Sequence, residues 1–133
     1  MIGVIIATHS NLAHELLHTA EMILGPPQLV APVSIDRDVS VELARQQMQQ
    51  EFERVNRDGD GVIILTDLFG GTPTNISVDF LVAGQVEILT GVNLPMLLKC
   101  INTRGGMRVD ELAGMLKEYA RNAILRPSEL LGS

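Results

Sequence analysis

Cysteine is almost absent. Cys100 is the single one in 133 residues, so no intrachain disulfide can form and no cysteine-based zinc site exists. A reducing cytoplasm suits such a chain. No cluster of Lys or Arg interleaves with aromatics, which are only 3% of residues, and the formal charge is −6; the electrostatic footprint of a nucleic-acid binder is therefore missing. Long apolar runs are missing too. Met1 to Ala7 is short and lacks the basic region and cleavage site of a signal peptide, and nothing reaches membrane-spanning length. There is no repeat, linker or low-complexity tract, and no nucleotide-binding fingerprint.

What is present is a globular balance, 46% hydrophobic and 20% charged, in a length that suits one domain over residues 1–133. The run Ile2-Gly3-Val4-Ile5-Ile6-Ala7 reads as a strand interrupted by Thr8-His9-Ser10. A helix follows, with Ser10 as expected N-cap and Leu12, Leu16, Ala20 and Ile23 on its buried face, until Gly25-Pro26-Pro27 stops it. Leu29 to Ile35 reads as a second strand, which Pro32 assigns to a sheet edge. The next helix starts near Ser40 and carries Val41, Ala44, Met48, Phe52 and Val55 on one side.

Val62-Ile63-Ile64-Leu65 is apolar without alternation, the pattern of a parallel strand covered on both faces. After the loop Thr66 to Pro73, a helix is expected from Pro73, capped by Thr72, to about Val82. Val86 to Leu89 is a fourth strand and Leu94-Pro95 opens a helix to about Ile101. A last helix over 109–121 presents Val109, Leu112, Leu116 and Tyr119 or Ala120, and residues 122–127 suit a short fifth strand. Repetition of strand, loop and helix predicts an α/β, doubly wound, parallel four-stranded sheet with helices on both faces. Ligands in such folds bind outside the carboxyl ends of the strands, where His9, Asp67 and Thr90 all fall.

His9 lies between a strand and a helix N-terminus, where free amides and the helix dipole favour an anion, so its imidazole is a candidate phosphoryl acceptor. Asp67, at the corresponding strand end, is a candidate to bond one ring nitrogen and leave the other as a nucleophile. Gly70-Gly71-Thr72-Pro73 brings backbone to a ligand and then starts a helix, the design of an anion cradle, with the Thr72 hydroxyl as a further donor. It is not a Walker loop, since no Gly-Lys-Ser/Thr follows.

Two metal motifs are set aside. His14 and His18 share a helix face, but no second pair or acidic motif supports a metal there. Asn56, Asp58, Asp60, Gly61 and Asp67 copy much of a calcium-loop spacing, yet the latter half of that loop is the Val62 to Leu65 strand, and Gly-Gly-Thr-Pro stands where the exiting helix is needed. No metal or cofactor is expected.

Three segments resemble the enzyme IIA component (EIIA) of the mannose family of the bacterial sugar phosphotransferase system (PTS): Ile-Gly-Val-Ile-Ile-Ala-Thr-His at 2–9, Asp-Leu-Phe-Gly-Gly-Thr-Pro-Thr-Asn at 67–75, and Thr-Gly-Val-Asn-Leu-Pro-Met-Leu at 90–97. The resemblance implies a phosphotransferase in which Nε2 of His9 takes a phosphoryl group from HPr and passes it to a IIB component, which phosphorylates sugar entering through membrane IIC and IID. It also implies that Asp67 holds Nδ1, that the Gly71 amide and the Thr72 amide and hydroxyl steady the phosphoryl oxygens, and that Phe69 lines the partner-docking surface. It further implies a cytoplasmic homodimer that exchanges a C-terminal strand, which residues 122–127 fit. Ser10 and Thr72 stand where many members have glycine and serine. With no Ala/Pro linker before Ser133, IIB is expected as a separate chain or absent. An alternative within the same chemistry is a regulatory module whose phosphohistidine signals metabolic state without a sugar permease. The phosphotransfer subunit of dihydroxyacetone kinase also has a histidine after strand one, but the 67–75 block favours the mannose type.

Overall fold

The computed structural model describes residues 1–132. Strands β1 (Gly3–His9), β2 (Val30–Ile35), β3 (Val62–Thr66) and β4 (Val86–Leu89) form one sheet in the order β2-β1-β3-β4, every pair parallel. Helices α1 (Leu12–Leu24), α2 (Val41–Val55), α3 (Gly71–Val78), α4 (Leu94–Thr103) and α5 (Val109–Asn122) cover it, and a short α6 (Pro127–Leu130) follows.

Both faces of the sheet are buried, which is why β1 and β3 are apolar without alternation. Val4, Ile6, Ile63 and Leu65 pack against α1, α4 and α5 through Ala13, Leu17, Leu97, Leu112 and Leu116. Ile5, Ala7 and Ile64 pack on the other side against Ala44, Met48 and Val55 of α2 and Ile76 of α3. Each buried Val, Ile, Leu or Met side chain contributes about 1.5–3 kcal/mol by leaving water, so the two central strands anchor the whole layer. Pro32, which has no N–H to give a ladder, lies on the edge strand β2 as its sequence requires.

Several local expectations are corrected. The buried face of α1 is Ala13, Leu17 and Ala20, with Leu16 partly buried against the core, while Leu12 and Ile23 are exposed. Val41 and Tyr119 are exposed as well, and Ala120 takes the buried position on α5. Helix α3 begins at Gly71 rather than Pro73 and ends at Val78. Within one chain residues 123–126 form no strand: α5 runs to Asn122, and Pro127, favoured in a first helical turn, opens α6. A strand needs a neighbouring edge, and no ladder among the described residues includes this segment.

At the amino ends of the strands, buried Arg104 closes the fold. Its guanidinium donates to the carbonyls of Ile2 at 3.1 Å and Leu29 at 3.2 Å, and also to Gln28. Burial lowers its pKa from the ordinary arginine value, because the charge has carbonyls but no carboxylate around it. The contact fastens the end of α4 to β1 and to the turn at Leu29, a non-glycine residue held at φ 53°. Replacing Arg104 by Met is expected to lower unfolding free energy by about 2 kcal/mol, the worth of hydrogen bonds to a charged group. Urea denaturation checks this; an unchanged midpoint would show that the carbonyls need no guanidinium.

Candidate functional site

The chain leaves β1 for β2 on one side and leaves β3 for β4 on the other, and the carboxyl ends of β1 and β3 lie side by side where the two connections diverge. Ala7 is level with Thr66 in that pairing, so His9 and Asp67 emerge together at the rim. Ser10 turns the chain at φ 52°, its N–H donating to the Ile35 carbonyl at 3.0 Å. It does not cap α1. Buried Thr8 does, its Oγ1 accepting from the Ala13 N–H at 2.7 Å, while Asn11 at the N-cap position makes no side-chain bond.

Asp67 Oδ2 accepts the backbone N–H of His9 at 3.0 Å and lies 2.9 Å from His9 Nδ1, and its Oδ1 accepts the Leu68 N–H at 3.1 Å. A carboxylate can only accept, so the ring proton sits on Nδ1 and Nε2 keeps a free lone pair. The Asp67 side chain is 12% exposed and that of His9 47%: the orienting group is shielded and the ring is open to solvent.

The glycine pair completes the rim. Gly70 and Gly71 have φ of 88° and 78°, a region that side chains resist. At Gly71 a Cβ would stand 2.9 Å from His9 Cε1 and 3.1 Å from Nε2, so backbone lies directly against the ring. Thr72 follows in the first turn of α3, where the amides have no helical carbonyl to bond. Phe69 is 87% exposed beside exposed Leu68.

The structure thus brings His9, Asp67 and Gly71 together, sets Thr72 in the adjoining turn and leaves Phe69 on the surface. His14 Nδ1 bonds Ser34 Oγ beside β2, and Asp58 and Asp60 both engage the Met1 amino group. Thr8 escaped the sequence reading, as did Thr66 and Thr74, which hydrogen-bond to each other under the loop. For Thr8 and Thr66 the signal is a lone hydroxyl at the end of an apolar strand, easily taken for the start of the loop, whereas Thr74 lies inside α3.

Such a rim, with an oriented imidazole at a parallel-sheet edge, defines a class of α/β proteins whose site is one open histidine. The family model described as PTS system fructose IIA component (EIIA-man) matches residues 3–117, and the chain belongs to this mannose-type EIIA family of the sugar phosphotransferase system. It is 28% identical over 132 residues to the PTS system fructose-specific EIIA component of Bacillus subtilis (strain 168), covering 98% of this chain and 90% of that protein. It is 30% identical over 125 residues to the PTS system mannose-specific EIIAB component of Escherichia coli (strain K12), covering 92% of this chain but 38% of that longer protein. The crystal structure of phosphotransferase system component EIIA from Streptococcus agalactiae superimposes with a TM-score of 0.86 at 28% identity, covering 97% of this chain and 99% of that one. The PTS IIA protein associated with the fucose utilization operon of Streptococcus pneumoniae gives 0.86 at 27% identity, covering 98% and 96%.

Gly71→Ala should push the His9 ring away from its seat against the loop. The ring chemical shifts of His9 are expected to move while the melting temperature falls by only a few degrees, about 1 kcal/mol of backbone strain. Unmoved shifts would mean that the loop does not hold the ring.

Proposed function

We propose that this chain is a phosphohistidine carrier, one domain over residues 1–133, in which His9 Nε2 accepts a phosphoryl group from HPr and passes it to a IIB component for sugar uptake and phosphorylation. The observation that carries this reading is the 2.9 Å contact of Asp67 Oδ2 with Nδ1 on a ring whose other nitrogen is open. The Nε2 lone pair attacks phosphorus as the phosphorus–nitrogen bond to the donor imidazole breaks, and the donor nitrogen keeps that electron pair. Positive charge then grows on the His9 ring. Asp67 stabilises it through the Nδ1 proton, an ion-assisted hydrogen bond that strengthens as the reaction proceeds. The second transfer, to IIB, reverses these roles.

The phosphoryl oxygens need donors that do not have to reorganise, and the Gly71 amide with the Thr72 amide and hydroxyl, at the start of α3, supply them. A docked partner must exclude water from the labile phosphohistidine. Exposed Leu12, Leu68 and Phe69 around the rim offer the apolar surface for that docking.

The carrier works in the cytoplasm as a homodimer. Among the described residues of one subunit no strand pairs with the outer edge of β4, which flanks a cavity of about 550 Å³ lined in part by Ile88, Met96 and Ile124. Ile124 and Leu125 are 80% and 63% exposed, and exchange of residues 122–127 would cover both groups by adding a strand to the partner's β4.

Incubation with phosphoenolpyruvate, enzyme I and HPr, followed by intact-mass measurement, tests the carrier reading. One acid-labile phosphoryl group per wild-type subunit and none on His9→Ala is the expected result; label persisting on the variant would overturn it. Asp67→Ala is expected to slow acceptance by about 10–100-fold, the worth of a charge-assisted hydrogen bond, without unfolding the domain. Light scattering on wild type should give twice the subunit mass, and on a chain truncated after Arg121 a single subunit mass; a wild-type monomer would remove the exchanged strand.

A further inference from the structure

We propose that Thr74, acting through the Leu68 peptide, is a positioning residue for the Asp67–His9 pair; this deepens the phosphocarrier reading and rests on it. Thr66, the last residue of β3, is fully buried, and Thr74 in α3 is 4% exposed. Their Oγ1 atoms lie 2.8 Å apart, and Thr74 Oγ1 is 2.7 Å from the Leu68 carbonyl oxygen. A carbonyl only accepts, so the one Thr74 proton goes to Leu68, and Thr66 must donate its own to Thr74. The direction of the chain is thereby fixed: Thr66 to Thr74 to the Leu68 carbonyl.

Leu68 is held at both ends of its backbone. Its N–H donates to Asp67 Oδ1 at 3.1 Å, and its carbonyl accepts from Thr74. Its side chain is 49% exposed and contributes little grip. If the Leu68 backbone rotated, the donor to Oδ1 would move, and the carboxylate would turn with it. The opposite oxygen, Oδ2, is the one that meets both the N–H and Nδ1 of His9. A buried hydroxyl carries a desolvation cost that valine of the same shape would not, so its use here is the bond it makes.

The test compares Thr74→Val, Thr74→Ser and Thr66→Val by nitrogen NMR of the His9 ring in the unphosphorylated proteins, and by the rate of phosphorylation from phospho-HPr. Wild type should show the Nδ1–H tautomer. Thr74→Val should populate the Nε2–H form and accept phosphoryl about tenfold more slowly, while Thr74→Ser restores both. Thr66→Val, which leaves the Thr74 to Leu68 bond in place, should keep the wild-type ring spectrum. A wild-type ring spectrum in Thr74→Val, or equal perturbation by Thr66→Val, would overturn the assignment. Should Thr74→Val not fold, Thr74→Ala carries the same two expectations. Absence of phosphorylation in wild type would instead sink the carrier reading, and the ring spectra would still decide the role of Thr74.

Discussion

The double acceptance by Asp67 Oδ2, from the backbone N–H and from Nδ1 of a single residue, is the constraint around which the site is built. One bond fixes where the chain of β1 ends and the other fixes how its last side chain faces. Both need β1 and β3 to be neighbours, and that adjacency follows from two apolar strands burying both faces at the centre of the sheet. Moving either strand by one residue in register would send His9 or Asp67 to the other face and separate them. Site geometry is therefore a consequence of core packing, and the core is where most of the stabilising free energy lies.

The remaining parts of the rim answer to the same pair. Gly71 has to be glycine because backbone lies where a Cβ would touch the ring, and Gly70 supplies the other unusual turn angle that lets α3 begin there. The Thr74 hydroxyl beneath the loop holds the carbonyl of Leu68, whose N–H meets the second carboxylate oxygen. What lies outside is open: an exposed ring edge and a fringe of apolar side chains with Phe69 most exposed. A rigid interior and an open apolar rim suit a centre whose chemistry is completed only when another protein covers it.

Much of this was legible in the chain because apolar runs ending in polar residues mark both the strands and their rims. The parallel sheet, the edge position of Pro32 and the meeting of His9 with Asp67 all follow from that pattern. Where two registers satisfy the same spacing, pattern fails. Leu12, Leu16, Ala20, Ile23 and Ala13, Leu17, Ala20 both repeat at helical intervals; the fold buries Ala13, Leu17 and Ala20, packs Leu16 partly buried against the core and of these leaves only Leu12 and Ile23 exposed. Ser10 looked like a cap, but nothing in its identity signals a left-handed backbone, and that turn hands the capping role to Thr8. Residues 122–127 have the composition of a strand, yet strand formation is a property of a pair of edges, and one chain leaves the segment without a partner.

If the Asp67 carboxylate sets the chemistry of His9, it must decide which nitrogen carries the phosphoryl group. Nitrogen–phosphorus coupling measured by NMR on the phosphorylated, ring-labelled protein addresses this directly. Coupling to Nε2 with Nδ1 still protonated is the expected result. Coupling to Nδ1 would mean that the ring turns away from Asp67 to react, and that the interaction on which the site is built does not orient it.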